Sequence, residues 1–165
     1  MRVAVPLERK EGEKRVALVP DIINKLTRLG YEVVIESGAG DNSQGTDAAY
    51  AAAGASIVKG DVIASADIVL SVQPLTPAQM ATVKKGAATI SFLSTVTAVD
   101  SIEAAVKAQA TAFSLELVPR ISRAQSMDAL TSQALCAGYR AVLVGAEMSP
   151  RFFPLLMTAA GTVTP

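Results

Sequence analysis

The sequence contains no histidine, no tryptophan and one cysteine, and its 15 basic side chains are balanced by 15 acidic ones in 165 residues. Each shortage excludes something. Without histidine there is no Ser-His-Asp triad, no imidazole general base and no ordinary zinc site. The lone Cys136 can form no internal disulfide and no thiolate cluster, which fits a reducing compartment. Zero net charge lacks the Lys/Arg excess that neutralises phosphates, so nucleic acid is not an expected partner. Aromatic residues make up only 4% of a chain that is 50% hydrophobic, and 29 residues are alanine. The core is therefore expected to be aliphatic, built by close approach of small side chains. No segment reaches the roughly 18 uninterrupted apolar residues of a membrane span. Ala134–Met148 comes nearest, and Arg140 and Glu147 interrupt it. The N-terminus lacks the long apolar run of a secretory signal. The expectation is a cytoplasmic protein with no span of its own.

What is present is unevenly placed. Residues 8–15 carry seven charges in eight positions, whereas residues 124–165 carry four: Asp128, Arg140, Glu147 and Arg151. So apolar a tail is either a buried core helix or a surface that packs on something else. Ahead of it, strand-like and helix-like segments alternate. Strands are expected at 2–5, 31–35, 56–58, 67–72, 88–92 and 112–117. Helices are expected over 20–29, with Ile22, Ile23, Leu26 and Leu29 at helical spacing, over 47–53 capped by Thr46, and near 61–64. Two more are expected, one opened by Thr76-Pro77 and one over 99–108 with Ile102 and Val106 on one face. This βαβα rhythm predicts a parallel sheet covered by helices on both faces. Residues 1–123 would form that α/β domain, and 124–165 would follow as linker helices. One helix is expected over about 125–145, a second piece from Pro150 to Met157, and a loop over 159–165.

Three segments offer chemistry. The charged run 8–15 lies between the first strand and the first helix, and ligands of open α/β sheets bind at the carboxyl ends of strands. Arg15 there suits a carboxylate or phosphate. Ser37-Gly38-Ala39-Gly40 suggests a dinucleotide loop, but position 43 is Ser43 rather than glycine, and no helix starts at the glycines. It reads as a glycine turn. The densest polar stretch beside the apolar tail is Pro119–Asp128. Gln125 and Asp128 share a helix face there, Ser132 extends it, and Arg120 could reach back to Asp128. That set suits an amide, a ribose or a phosphate. Read structurally, it is a salt-bridge and capping cluster at a helix start, with Ser126 as N-cap.

Residues Pro119-Arg120-Ile121-Ser122-Arg123-Ala124-Gln125-Ser126-Met127-Asp128, then Ala137-Gly138-Tyr139-Arg140-Ala141 and Thr158–Pro165, closely resemble the alpha subunit of the proton-translocating NAD(P) transhydrogenases. The opening around Glu8-Arg9 and Glu13-x-Arg15-Val16-Ala17, and Glu36–Gly40, match as well, although the opening is shared with alanine dehydrogenases. The resemblance implies a Rossmann-like (flavodoxin-like) α/β domain followed by a long linker helix. It implies that this chain is the front of its subunit, leading into an NAD-binding domain beyond Pro165. NAD(H) would be held mainly by that domain and NADP(H) by the beta subunit. The implied partners are the beta subunit, a membrane subunit and a second copy in a homodimer. The chain itself would be cytoplasmic and peripherally associated with the inner membrane through the full complex. Carried over by position, Arg120, Gln125 and Asp128 fall near the hydride-transfer site, and the family's neighbouring serine is Thr131 here. Direct hydride transfer needs no protein acid or base, which suits a chain without histidine.

The alternative is an alanine dehydrogenase, in which Arg15 would hold the substrate carboxylate. That family's strand-ending lysine is Ser71 here, and its downstream histidine is missing. A third reading is a non-catalytic docking or oligomerisation module, since half of the nucleotide site would lie outside this chain.

Overall fold

Short aliphatic runs punctuated by glycine, proline and helix caps set the elements of the first of two compact units. The computed structural model describes residues 1–164, and the units are Met1–Pro119 and a second beginning at Arg120. The first unit holds six parallel strands: β1 (Arg2–Val5), β2 (Glu32–Glu36), β3 (Ser56–Val58), β4 (Ile68–Leu70), β5 (Ala88–Ser91) and β6 (Thr111–Ser114). Their order, β3-β2-β1-β4-β5-β6, is the Rossmann order, with the direction of winding reversing between β1 and β4. Val3 lies beside Val33 on one side and Ile68 on the other. Alternate strand residues enter different cores, as the pleat requires. Val5, Val33 and Ile35 pack with Ile23 of α1 (Pro20–Arg28) and Tyr50 of α2 (Asp47–Ala52). Ala4, Val34 and Val69 pack with Met80 of α3 (Pro77–Thr82) and Ala105 of α4 (Val99–Lys107). The alanine-rich composition thus becomes close helix-on-sheet packing.

Three expected elements of this unit differ. Residues 61–64 form a turn rather than a helix, because the Asp61 side chain accepts from Ile63 N (2.7 Å) and competes with a helical ladder. The last strand stops at Ser114 and gives way to a 3₁₀ turn over Leu115–Leu117. Helix α4 buries Ser101 and Ala105, while Val106 is exposed. The glycine turn after β2 is demanding: a Cβ on Gly40 would lie 2.4 Å from the Gly45 carbonyl oxygen and 2.6 Å from the Tyr50 ring.

The second unit contains a 3₁₀ turn over Ser122–Met127, the helix α5 (Ala129–Met148), and a hairpin of β7 (Leu156–Thr158) and β8 (Gly161–Val163). The expected single helix from 125 is therefore split. Its N-cap is Asp128 rather than Ser126, because the Asp128 carboxylate accepts from Thr131 N at 2.9 Å. The expected second helical piece and following loop are the antiparallel hairpin instead, in register Leu156↔Val163 and Thr158↔Gly161. Pro154 carries no N–H, Thr158, Thr162 and Val163 favour extended backbone, and Gly161 at φ 127 opens β8 directly after the Ala159-Ala160 turn. Pro165, the end of the expected loop, lies outside the described residues. Helix α5 has no buried residue.

Candidate functional site

The second unit gathers the polar stretch around one cavity. Extended backbone at Ile121 and the 3₁₀ turn after it curl the chain, so that Arg120, Ile121, Ser122, Ala124, Gln125 and Asp128 line a cavity of about 380 Å³. Asp128 closes one side. One of its oxygens accepts from Thr131 N (2.9 Å) and the other from Thr131 Oγ1 (2.6 Å). The Thr131 hydroxyl bond, then the Thr131 backbone N–H, hold the Asp128 carboxyl below its ordinary range, and the Arg120 charge adds to this. Asp128 is therefore an anion at neutral pH. Arg120 acts on it through its charge rather than through an ion pair within 4 Å, which would have been its expected reach back. The cavity offers a guanidinium, a primary amide and an oriented carboxylate. That donor and acceptor set fits a carboxamide, a ribose or a phosphate. Thr131 stands behind Asp128 and orients it.

Arg15, the residue of the alternative reading, belongs to the first unit and to a different network. Its Nε and Nη2 donate to the two oxygens of Glu13 at 2.8 and 2.7 Å, and its guanidinium lies 5.9 Å from the centre of the Phe92 ring. Gln73 Nε2 donates to Glu13 from the other side at 2.6 Å. The Arg15 bonds above all, with Gln73 assisting, lower the Glu13 carboxyl to about 2. Lys10 Nζ donates to Gln73 Oε1 (3.1 Å), and Ser71 Oγ donates to the Gln73 carbonyl (2.8 Å). Glu8 accepts from the backbone N–H of Val72 and Gln73, while burial raises its carboxyl. Glu36, buried at the end of β2, accepts from Leu7 N (2.8 Å) and from the Arg9 guanidinium. A cavity of about 310 Å³ beside them is lined by Lys10, Ser71, Gln73 and Gln79 among others. The charged run thus stitches the β1 loop to the ends of β2 and β4.

Sequence reasoning missed Glu8, Glu13, Gln73 and Glu36 as bridging residues. The dense charge at 8–15 signalled that something was built there, but the partners Gln73 and Val72 lie some sixty residues away and leave no local trace. Among the described residues no group of acidic, cysteine or histidine side chains could hold a metal. No helix there is long and apolar enough to cross a membrane.

The profile of the family described as "Alanine dehydrogenase/PNT, N-terminal domain" matches residues 4–137. The chain is 41% identical over 167 residues to "NAD(P) transhydrogenase subunit alpha" of Cereibacter sphaeroides, covering 100% of this chain and 32% of that protein. Among solved structures, transhydrogenase from Sinorhizobium meliloti superposes with a TM-score of 0.91 at 39% identity, over 99% of this chain and 49% of that one. An L-alanine dehydrogenase superposes with a TM-score of 0.81 at 30% identity, over 89% and 40% of the two chains. This chain spans less than half the length of each of these three.

Proposed function

The chain belongs to the alanine dehydrogenase/PNT N-terminal domain family, and on that premise we propose that it is the N-terminal portion of an NAD(P) transhydrogenase alpha subunit. The reaction is hydride transfer between NADH and NADP⁺, coupled in the complete complex to proton translocation. The observation that carries the reading is the cavity built from Arg120, Gln125 and Asp128. NADH supplies the hydride and NADP⁺ accepts it, so the protein's task is to bind, orient and exclude water. In this reading Arg120 takes the pyrophosphate or ribose side of NAD(H). Asp128, oriented by Thr131, accepts from the nicotinamide carboxamide. Gln125 reaches toward NADP(H), which is held by the beta subunit. NAD(H) is held mainly by a further domain of the alpha subunit, and the 165-residue chain alone is inactive. The partners are the beta subunit, a membrane subunit and a second copy of the chain. The location is the cytoplasmic side of the inner membrane.

The test is hydride transfer in the assembled complex. Arg120→Ala and Gln125→Asn are each expected to slow transfer about tenfold or more, because misplacing the rings by about 1 Å is enough to do so. Near-normal rates in both variants would overturn the assignment. Amino-acid dehydrogenation is disfavoured by the residues themselves. Ser71 is turned onto its own loop, Arg15 is seated on Glu13, and no histidine exists in the sequence. NADH-dependent reductive amination of pyruvate by the assembled protein would reverse that judgement.

A further inference from the structure

We propose that the Ser122 hydroxyl is a further NAD(H)-binding group, donating to a cofactor phosphate oxygen at the Arg120 end of the cavity. The inference rests on the function proposed above and adds a residue to its site. Every protein group in it lies in the second unit. The turn Ser122–Met127 is a six-residue 3₁₀ segment, longer than the three or four residues usual for that helix. Its tighter ladder shows in Ala124 N, which donates to the Ile121 carbonyl at 2.9 Å, and in Asp128 N, which donates to the Gln125 carbonyl at 3.2 Å. A 3₁₀ helix eclipses side chains three residues apart and rises about 2 Å per residue. Ser122, Gln125 and Asp128 therefore stand on one ridge at steps of about 6 Å. At α-helical spacing Ser122 and Asp128 would diverge by about 120°, so the sequence pairs Gln125 with Asp128 and leaves Ser122 out.

The cavity follows this ridge. Ser122, Gln125 and Asp128 all line it, whereas Arg123 and Ser126 on the same turn do not. The ends of the ridge differ in charge. Asp128 closes one end, and both its oxygens already accept from Thr131. Ser122 stands at the other end, two residues from Arg120. It is exposed, and among the described residues its Oγ has no partner in the protein. A hydroxyl is small and rotates to suit its partner. In the reading above the anionic end takes the carboxamide, which leaves the anionic part of NAD(H), its pyrophosphate, for the cationic end. A hydroxyl that donates to a phosphate oxygen makes a charge-assisted bond, stronger than one between neutral groups. Arg120 supplies the charge there and Ser122 supplies a short donor beside it.

The experiment is equilibrium binding in the assembled complex, by titration calorimetry, with NADH and with reduced nicotinamide riboside, which carries no phosphate. Ser122→Ala is expected to raise the NADH dissociation constant about tenfold and that of the riboside less than about twofold. Ser122→Thr keeps the hydroxyl and is expected to hold NADH within about threefold of wild type. Ser126→Ala removes a hydroxyl from the same turn outside the cavity and is expected to bind NADH as wild type does. Wild-type NADH affinity in Ser122→Ala, beside weakened binding in Arg120→Ala, would overturn the inference and leave the site assignment standing. Wild-type affinity in Arg120→Ala would instead overturn the site assignment. Equal losses for NADH and the riboside would put the hydroxyl on the ribose and overturn the phosphate contact. A loss in Ser126→Ala as large as in Ser122→Ala would mean a loosened turn rather than a lost contact, and overturns the inference too. So does Ser122→Thr binding as weakly as Ser122→Ala, because the hydroxyl would then not be the group that binds.

Discussion

Glu13 has one partner two residues away, Arg15, and one sixty residues away, Gln73. Its carboxyl is lowered from 4.5 to about 2, so the folded state releases this proton more readily than the unfolded chain does. Ionised Glu13 therefore stabilises the fold above about pH 4.5, and the contribution is lost as pH falls from there through about 2. We expect it to be worth about 2 kcal/mol, less than the full shift implies, because the Arg15 side chain is 43% exposed. Glu8 works in the opposite sense: burial raises its carboxyl, so its contribution is full below the ordinary range and fades as pH rises. The comparison of wild type with Glu13→Gln isolates the first effect. The gap in urea midpoint between them is expected to be wide at pH 6, less than about half as wide at pH 3, and nearly closed only at about pH 2. A gap of constant width would show that the ion pair is not its source. Gly40 tests a steric argument at the same scale. Gly40→Ala drives a methyl into a backbone carbonyl and the buried Tyr50 ring, and is expected to cost about 2–3 kcal/mol in thermal unfolding. Neither feature is legible in the sequence. Glu13 reads as one charge in a solvated run, and the glycine turn is visible without the tyrosine that makes it obligatory.

The start of α3 is set by a local signal that the sequence displays, whereas the end of β6 is set by partners far along the chain. Thr76-Pro77 predicts the start of α3, and the structure shows the reciprocal pair: Gln79 N donates to Thr76 Oγ1 at 3.2 Å and Thr76 N donates to Gln79 Oε1 at 3.0 Å. Thr76→Ala is expected to lose about 1 kcal/mol by urea denaturation. The end of β6 is hidden because Glu116, in the turn just past it, accepts from the backbone N–H groups of Leu93 and Ser94, more than twenty residues away. The hairpin at 156–163 is hidden because its apolar residues give no alternation, and Gly161 reads as a loop residue until its φ is known. The start of α5 joins structure and proposed function in one side chain. Asp128 caps the helix through Thr131 and also faces the cavity. Asparagine caps helices as well as aspartate does, but it carries no charge. Asp128→Asn is therefore expected to keep the helical circular dichroism of the chain and to slow hydride transfer in the complex. Equal loss of both signals would mean that Asp128 serves only the cap.

At the scale of the molecule, the alternation of short strands and helices is enough to reveal a parallel sheet covered on both faces, because burial on both sides leaves aliphatic runs that periodicity detects. The fate of the apolar tail is not specified in the same way: a helix poor in charge reads alike whether it is core or surface. The structure shows Leu135 75%, Tyr139 70% and Val142 63% exposed on α5. Their spacing of four and three residues places them in one stripe along the helix. Burying none of them, the helix draws no core energy from that stripe, so charge placed there has little to disrupt. Leu135→Glu combined with Val142→Glu is expected to leave the unfolding free energy within about 0.5 kcal/mol of wild type. The same pair is expected to lower the binding of a hydrophobic dye and any concentration-dependent association, because it breaks a contiguous apolar surface. Sedimentation and dye titration on the 165-residue chain measure both. A large drop in unfolding free energy would instead mean that the stripe is buried in solution, and the apolar tail would return to being a core helix.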